Sequence, residues 1–133
     1  MERTYIMLKP DCVKRGLMGE VISRIEKKGF KITDAKMMTL SEAILREHYA
    51  HIADKPFFPD IVSYMTSGPV LAMIVEGENA VQGMRNIMGP TKYEDAMGGT
   101  IRGDFATSTG SNIIHGSDSV ENAEIEINRF FGA

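Results

Sequence analysis

Pro69 to Glu76 (Pro-Val-Leu-Ala-Met-Ile-Val-Glu) is a nearly continuous apolar run of strand length. A strand without polar alternation offers no face to water, so it belongs in the middle of a sheet, buried on both faces. The remainder of the chain must supply its neighbours. Thr4 to Leu8 reads as one, an apolar stretch ended by Lys9-Pro10-Asp11, where proline stops the ladder. Phe30 to Met37 alternates as a half-buried strand does, and Ile113-Ile114 reads as a short branched-apolar strand near the C-terminus.

Helical spacing fills the intervals. Leu17 to Lys28 puts Leu17, Val21 and Ile25 on one face, with Gly29 closing the helix. Ser41 caps a helix running through Ile44, Leu45, His48, Tyr49 and Ile52. Pro56-Phe57-Phe58-Pro59 interrupts it, and Ile61, Val62, Tyr64 and Met65 form a second short helix, giving a helical hairpin. Of the adjacent aromatics at its tip, one is expected in the core. Glu78-Asn79 starts a helix that Gly89-Pro90 ends, and the last helix carries Val120, Ala123, Ile127 and Phe130 on one stripe. Asp118 followed by Glu121 has the spacing of a capping box and sets the start of that last helix. Thr91 to Ser111 shows neither period and is expected to be a long functional loop. The order β-α-β-(αα)-β-α-loop-β-α, with two βαβ units, describes an α/β (α+β) chain: a four-stranded sheet with helices covering one face.

At 133 residues and 43% apolar content the chain fits one domain, 1–133, with enough apolar surface for a core. A formal charge of −3 excludes a global basic surface, so nucleic acid is not an expected partner. The single cysteine, Cys12, excludes an internal disulfide and reads as a small core residue. With no signal-peptide pattern and no apolar run of membrane-spanning length, a cytoplasmic protein is expected.

Chemistry concentrates in Asn112-Ile113-Ile114-His115-Gly116-Ser117-Asp118-Ser119. A histidine is presented at a strand-to-helix corner, with Gly116 after it for a sharp turn and helix amides nearby that favour anions. Histidine serves as nucleophile, acid, base or ligand, and the corner alone does not choose among these. Lys9 at a strand end, Arg85 on a late helix and Arg102 in the long loop are candidates to converge on a polyphosphate. Glu126, on the border of the last helix's apolar stripe, is able to look back at His115. Together they suggest phosphoryl transfer through a histidine. No Gly-x-x-x-x-Gly-Lys-Ser/Thr loop and no protein-kinase motif set is present, which excludes those two architectures. His48 and His51 are three apart, a spacing compatible with a metal; lacking an acidic or cysteine partner, they read as surface histidines.

The pattern Asn112-x-x-His115-Gly116-Ser117-Asp118 resembles the active-site signature of the nucleoside diphosphate kinases. The resemblance runs from Thr4 to Phe131. It takes in Lys9-Pro10-Asp11, His48-Tyr49, Pro56-Phe57-Phe58, Thr66-Ser67-Gly68-Pro69-Val70 and Ile101-Arg102-Gly103-Asp104-Phe105, in the family's order. It implies a ferredoxin-like βαββαβ fold with an antiparallel sheet. It further implies that His115 takes the γ-phosphate of a nucleoside triphosphate and passes it to a nucleoside diphosphate, with broad base and sugar specificity. Glu126 would orient the ring and Ser117 share that carboxylate. Arg85, Thr91 and Arg102 would hold phosphates, Tyr49 would position the transferring group, and Lys9 and Asn112 would bind the sugar region. Phe57 would stack on the base, with Ile61 nearby and Thr109 opposite, where the family has valine or a similar residue. Mg²⁺ would be held mainly by nucleotide phosphates and water, with no protein metal cage. ATP, GTP, and ribo- and deoxynucleoside diphosphates are the implied partners, and a homo-oligomer, hexamer rather than tetramer, is the implied assembly.

Three departures stand out. Lys92-Tyr93 and Gly98 replace the family's Asn-Pro and a second proline, removing two φ restraints from the loop. In His48-Tyr49-Ala50-His51-Ile52 the family's second histidine is missing. The competing reading within the family is a catalytically silent nucleotide-binding or regulatory module; outside it, a nucleic-acid-binding protein of the same fold. The carried-over polar residues favour the enzyme over the first, and the net charge argues against the second.

Overall fold

The computed structural model describes residues 1–132. Its elements in chain order are β1 (Glu2–Leu8), α1 (Pro10–Lys14), α2 (Met18–Lys28), β2 (Lys31–Met38), α3 (Glu42–His48), α4 (Phe58–Met65), β3 (Val70–Gly77), α5 (Ala80–Met88), α6 (Ile101–Phe105), β4 (Ile114–Gly116) and α7 (Val120–Phe131). The strands form one antiparallel sheet in the order β2-β3-β1-β4, the ferredoxin-like arrangement. No helix of the described residues is long and apolar enough to cross a membrane.

β3 and β1 take the centre because neither has a polar face. Val70 to Val75 are all buried, as are Thr4 to Leu8. The pleat sorts their side chains by a period of two. Ile6, Leu8, Leu71, Met73 and Val75 point to one face, where Val21 and Ile25 of α2 and Met84 and Met88 of α5 cover them. This is the expected helix-covered face. Tyr5, Met7, Ala72 and Ile74 point to the other, beneath Leu45 of α3, Phe58 and Met65 of α4, and Ile127 and Phe130 of α7. The hairpin and the last helix therefore form a second layer, as a central strand buried on both sides requires.

Local chemistry sets the element ends. Gly29 closes α2 with φ +105°, the left-handed conformation that glycine adopts without a Cβ clash. Ser41 caps α3, its hydroxyl accepting from the Ile44 amide. α3 stops at His48, and the expected continuation to Ile52 is a separate 3-10 turn, Ala50–Ile52. Of the two hairpin aromatics, Phe58 fills the core at 2% exposure and Phe57 stands half in solvent at 50%. Cys12 is buried, and burial first, with Asp11 adding, pushes its thiol up to about 12, which makes it inert.

Three expectations are corrected. β2 is an exposed edge strand rather than an alternating half-buried one, and a register irregularity between Ile32 and Asp34 breaks the alternation. Thr91 to Ser111 is not structureless: Thr100 caps the short α6 through the Gly103 amide, and Tyr93–Asp95 forms a 3-10 turn. α7 is capped by Ser119, whose hydroxyl accepts from the Asn122 amide, one residue past the expected Asp118. Asp118 instead accepts from the Asn122 side chain at 2.6 Å, so the Asp118–Glu121 capping box does not form.

Candidate active site

β4 pairs with β1, so His115 lies opposite Met7 in the middle of a short edge strand. Gly116 is strand too, not a turn; a Cβ there would come within 2.6 Å of Met88 Sδ, so any larger residue would have to push the buried Met88 side chain aside. The sharp change of direction falls earlier, at Ile113. Its φ is +79°, and the Ile114 amide bonds back to the Asn112 carbonyl at 2.9 Å, closing a γ-turn. Such a conformation costs a branched residue on the order of 1–3 kcal/mol and needs external restraint. Asp11 Oδ2 accepts from the Ile113 amide at 3.1 Å, and the Lys9 amide donates to the Ile113 carbonyl at 2.8 Å. The other Asp11 oxygen accepts from the Tyr64 hydroxyl, tying this turn to the hairpin.

The γ-turn aims Asn112 and His115 into one cleft of about 450 Å³. Inside it, His115 Nε2 lies 2.9 Å from Glu126 Oε1, and the Ser117 hydroxyl donates to the same oxygen at 2.7 Å. Burial alone would raise the Glu126 carboxyl, but the hydrogen bonds from His115 and Ser117 outweigh it and hold the group below its ordinary value. With Nε2 occupied, Nδ1 is the nitrogen left for chemistry.

Cations share the cleft with that nitrogen. Lys9, Arg85, Arg102 and Arg129 line the cleft together with Tyr49, Thr91 and Asn112. Lys9 Nζ donates to Asn112 Oδ1 at 2.7 Å, and Asn112 passes the chain on to the Thr91 carbonyl at 3.1 Å. Burial and the nearby Arg102 lower the Lys9 ammonium to about 8. Arg102 is buried at 4% exposure and clips two elements together, donating to the carbonyls of Gly89 at 2.8 Å and Ile114 at 2.6 Å. Desolvation, then Arg85, lower its guanidinium to about 10, still charged at neutral pH. An anion with several charges, set in this cleft, would relieve the crowding of these groups.

Eight of the residues singled out in the sequence therefore share the cleft: Lys9, Tyr49, Arg85, Thr91, Arg102, Asn112, His115 and Glu126. Ser117 lies beneath it, buried. Phe57, Ile61 and Thr109 are outside its lining; Phe57 and Thr109 are exposed, and Ile61 packs against the hairpin core. The surface reading of His48 is wrong. His48 is buried, its ring 4.8 Å from that of His115, while His51 is the exposed one. Its spacing from Ile44 and Leu45 on α3 already carried that signal. A further cation of the cleft escaped the sequence, Arg129, one turn beyond Glu126 on the same helix face, and Asp118, read there as a helix cap, also lines it.

His48, His115 and Glu126 bring ligand atoms within 4.8 Å of one another. Two imidazoles and one carboxylate do not suit Mg²⁺, which prefers oxygen, and the four cations oppose any metal held by protein alone. Asp118 is different. Only its Oδ1 is engaged among the described hydrogen bonds, which leaves a cleft carboxylate oxygen for an ion arriving with phosphates.

An oriented imidazole facing a cationic cleft, on a ferredoxin-like sheet, defines a class: phosphotransferases that need no P-loop. Comparison with known proteins narrows it. The sequence model of the nucleoside diphosphate kinase family matches residues 2–133. The nucleoside diphosphate kinase of Staphylococcus saprophyticus is 55% identical over 133 residues, all of this chain and 89% of that protein. The crystal structure of the apo nucleoside diphosphate kinase of Encephalitozoon cuniculi superposes with a TM-score of 0.96 at 48% identity, covering 100% of this chain and 90% of that one. A halophilic nucleoside diphosphate kinase from Halobacterium salinarum, solved in complex with CDP, gives 0.94 at 48% identity, covering 99% and 88%. The chain belongs to the nucleoside diphosphate kinase family.

Proposed function

We propose that this protein, acting through residues 1–133 as one unit, transfers the γ-phosphate of a nucleoside triphosphate, typically ATP, to a nucleoside diphosphate by way of a phosphohistidine on His115. One observation carries this reading. Glu126 occupies His115 Nε2 at 2.9 Å, which leaves Nδ1 as the nucleophile in a cleft lined by Lys9, Arg85 and Arg102.

In the first half-reaction the Nδ1 lone pair attacks the γ-phosphorus, the bond to the β,γ-bridging oxygen breaks, and the diphosphate leaves. Positive charge on the ring is balanced through Nε2–H by Glu126, which Ser117 holds in place. The second half-reaction reverses these bonds with another diphosphate. Arg85, Thr91 and Arg102 hold the phosphates, the two arginines neutralising their charge, and Tyr49 positions the transferring group, so the protein supplies placement and charge more than covalent help. Lys9 and Asn112 hold the sugar side. Phe57, with Ile61 and Thr109 nearby, offers the base an aromatic face that any base can stack on, which supports broad acceptance; a relative's complex with CDP agrees. The free Asp118 oxygen fits Mg²⁺, which takes one or two carboxylates plus phosphates and water. When bound, the ion supplies phosphate charge neutralisation, and Asp118 would hold it. A hexameric, cytoplasmic enzyme completes the proposal, and the exposed edge strand β2 leaves a sheet edge open for assembly.

Incubation with γ-labelled ATP and no acceptor tests the chemistry. The wild type acquires an alkali-stable, acid-labile label and follows ping-pong kinetics, His115→Ala acquires none, and His51→Ala labels normally. A ternary-complex pattern with unlabelled protein overturns the mechanism and leaves the silent nucleotide-binding module as the better account.

A further inference from the structure

His48 and Arg129 have no part in the transfer just described, yet both line the cleft beside its nucleophile. His48 stands edge-on to three rings: His115 and Tyr49, each with centroids at 4.8 Å, and Phe130 at 5.2 Å. The His115 ring also has the Tyr5 ring as a neighbour, at 5.9 Å. Arg129 Nη1 lies 2.9 Å from His48 Nδ1. A guanidinium only donates, so Nδ1 must be the unprotonated nitrogen and the His48 proton sits on Nε2. The other arm of Arg129 is weakly held: Nε is 3.5 Å from the exposed Glu47 carboxylate and makes no hydrogen bond.

A neutral His48 matters because its ring lies beside the His115–Glu126 pair, the ligand atoms of all three residues lying within 4.8 Å of one another. If His48 took a second proton, on Nδ1, it would lose its bond from Arg129, draw on the charge of Glu126 and repel the His115 ring as it becomes positive. Burial, His115, Arg129 and Lys9 all oppose that proton, and Glu126 alone favours it.

We propose that Arg129 and His48 are a positioning pair for His115, Arg129 fixing the tautomer and neutrality of His48, and His48 fixing the plane of the His115 ring. Neither touches the transferred group. The functional consequence rests on His115 being the phosphorylated residue.

The test uses the full-length protein as wild type, Arg129→Met, which keeps the apolar stem without the donor, and Arg129→Lys, which restores one donor. Three quantities are read: the ¹⁵N NMR signals of His48 without nucleotide, the single-turnover rate of His115 labelling at saturating ATP, and ADP affinity. The wild type shows an unprotonated Nδ1. Arg129→Met mixes the tautomers and slows labelling about tenfold, with ADP affinity within about twofold, and Arg129→Lys recovers part of both. Weaker ADP binding with an unchanged saturated rate overturns the proposal and makes Arg129 a phosphate ligand. An unchanged tautomer and rate in Arg129→Met overturns it as packing alone; should that variant not fold, a wild-type tautomer in Arg129→Lys paired with a tenfold slower rate does the same. A wild type that takes no label on His115 defeats the phosphohistidine reading instead, while the nucleotide-free spectra still decide the state of His48.

Discussion

His48 and Glu126 carry shifts that act in the same direction on stability. The His48 imidazole is lowered from 6.5 to about 3, chiefly by burial. Between those values the unfolded chain binds a proton that the folded chain refuses, so stability is complete above pH 6.5 and falls as the pH drops toward 3. Glu126 adds to this below its ordinary value of 4.5, because its folded carboxyl is held lower still. One group contributes at most about 1.4 kcal/mol per pH unit across its window. Urea midpoints measured from pH 7 to 4 should therefore decline, most of the early decline coming from His48. His48→Asn places a side-chain oxygen where Nδ1 was and cannot titrate. Its midpoint should stay flatter between pH 6.5 and 5, and a slope equal to the wild type's would mean that His48 titrates normally.

The element on which the proposed phosphate binding rests is the short helix α6. Thr100 caps it, Asp104 bonds the Gly99 amide at 2.9 Å and pairs with Arg24 at 2.7 Å, and Arg102 reaches inward from it. The helix packs against its own loop so tightly that a Cβ on Gly103 would lie 2.0 Å from the Met97 carbonyl oxygen. That neighbour is backbone and cannot rotate away. Gly103→Ala should cost about 1–3 kcal/mol, as overpacking does, and displace α6 with its arginine. The expected outcome is a lower thermal midpoint together with weaker ADP binding. Retained affinity in a destabilised protein would mean that Arg102 keeps its place without the helix.

Across the whole molecule, the proposed base recognition and phosphate chemistry fall to separate parts. Phe57 stands half-exposed on the hairpin, outside the cationic cleft. A π-face serves every base, so ADP, GDP, CDP and UDP should all be accepted, purines somewhat better. Phe57→Ala should weaken all four within the ~1–3 kcal/mol of one base–aromatic stack and narrow the purine advantage. Specificity constants for the four diphosphates check this. A strong preference for one base that survives Phe57→Ala would point to hydrogen bonds at base edges and end the broad-specificity reading.

The sequence by itself determined the four strands and the longer helices, because these depend on local pattern, while the short helices Pro10–Lys14 and Ile101–Phe105 left no period to read and Tyr49, Thr91 and Asn112 came to the cleft only through the resemblance. An unbroken apolar run requires a central strand, and a serine before an amphipathic segment starts a helix, as Ser41 does. The motif around His115 was legible for the same reason, and so was Glu126 at the border of its helix stripe. What was not legible depends on contacts between distant segments. β2 reads as half-buried until its position at the sheet edge is known. His48 reads as a surface histidine until α3 is laid against α7, whose Arg129 lies 81 positions away in sequence and becomes its partner. The left-handed Ile113 is held by Asp11, 102 positions earlier, and no local preference favours that conformation in a branched residue. Periodicity records which face of an element is buried, but only packing decides what it is buried against, and the environment of the nucleophile belongs to the second kind of information.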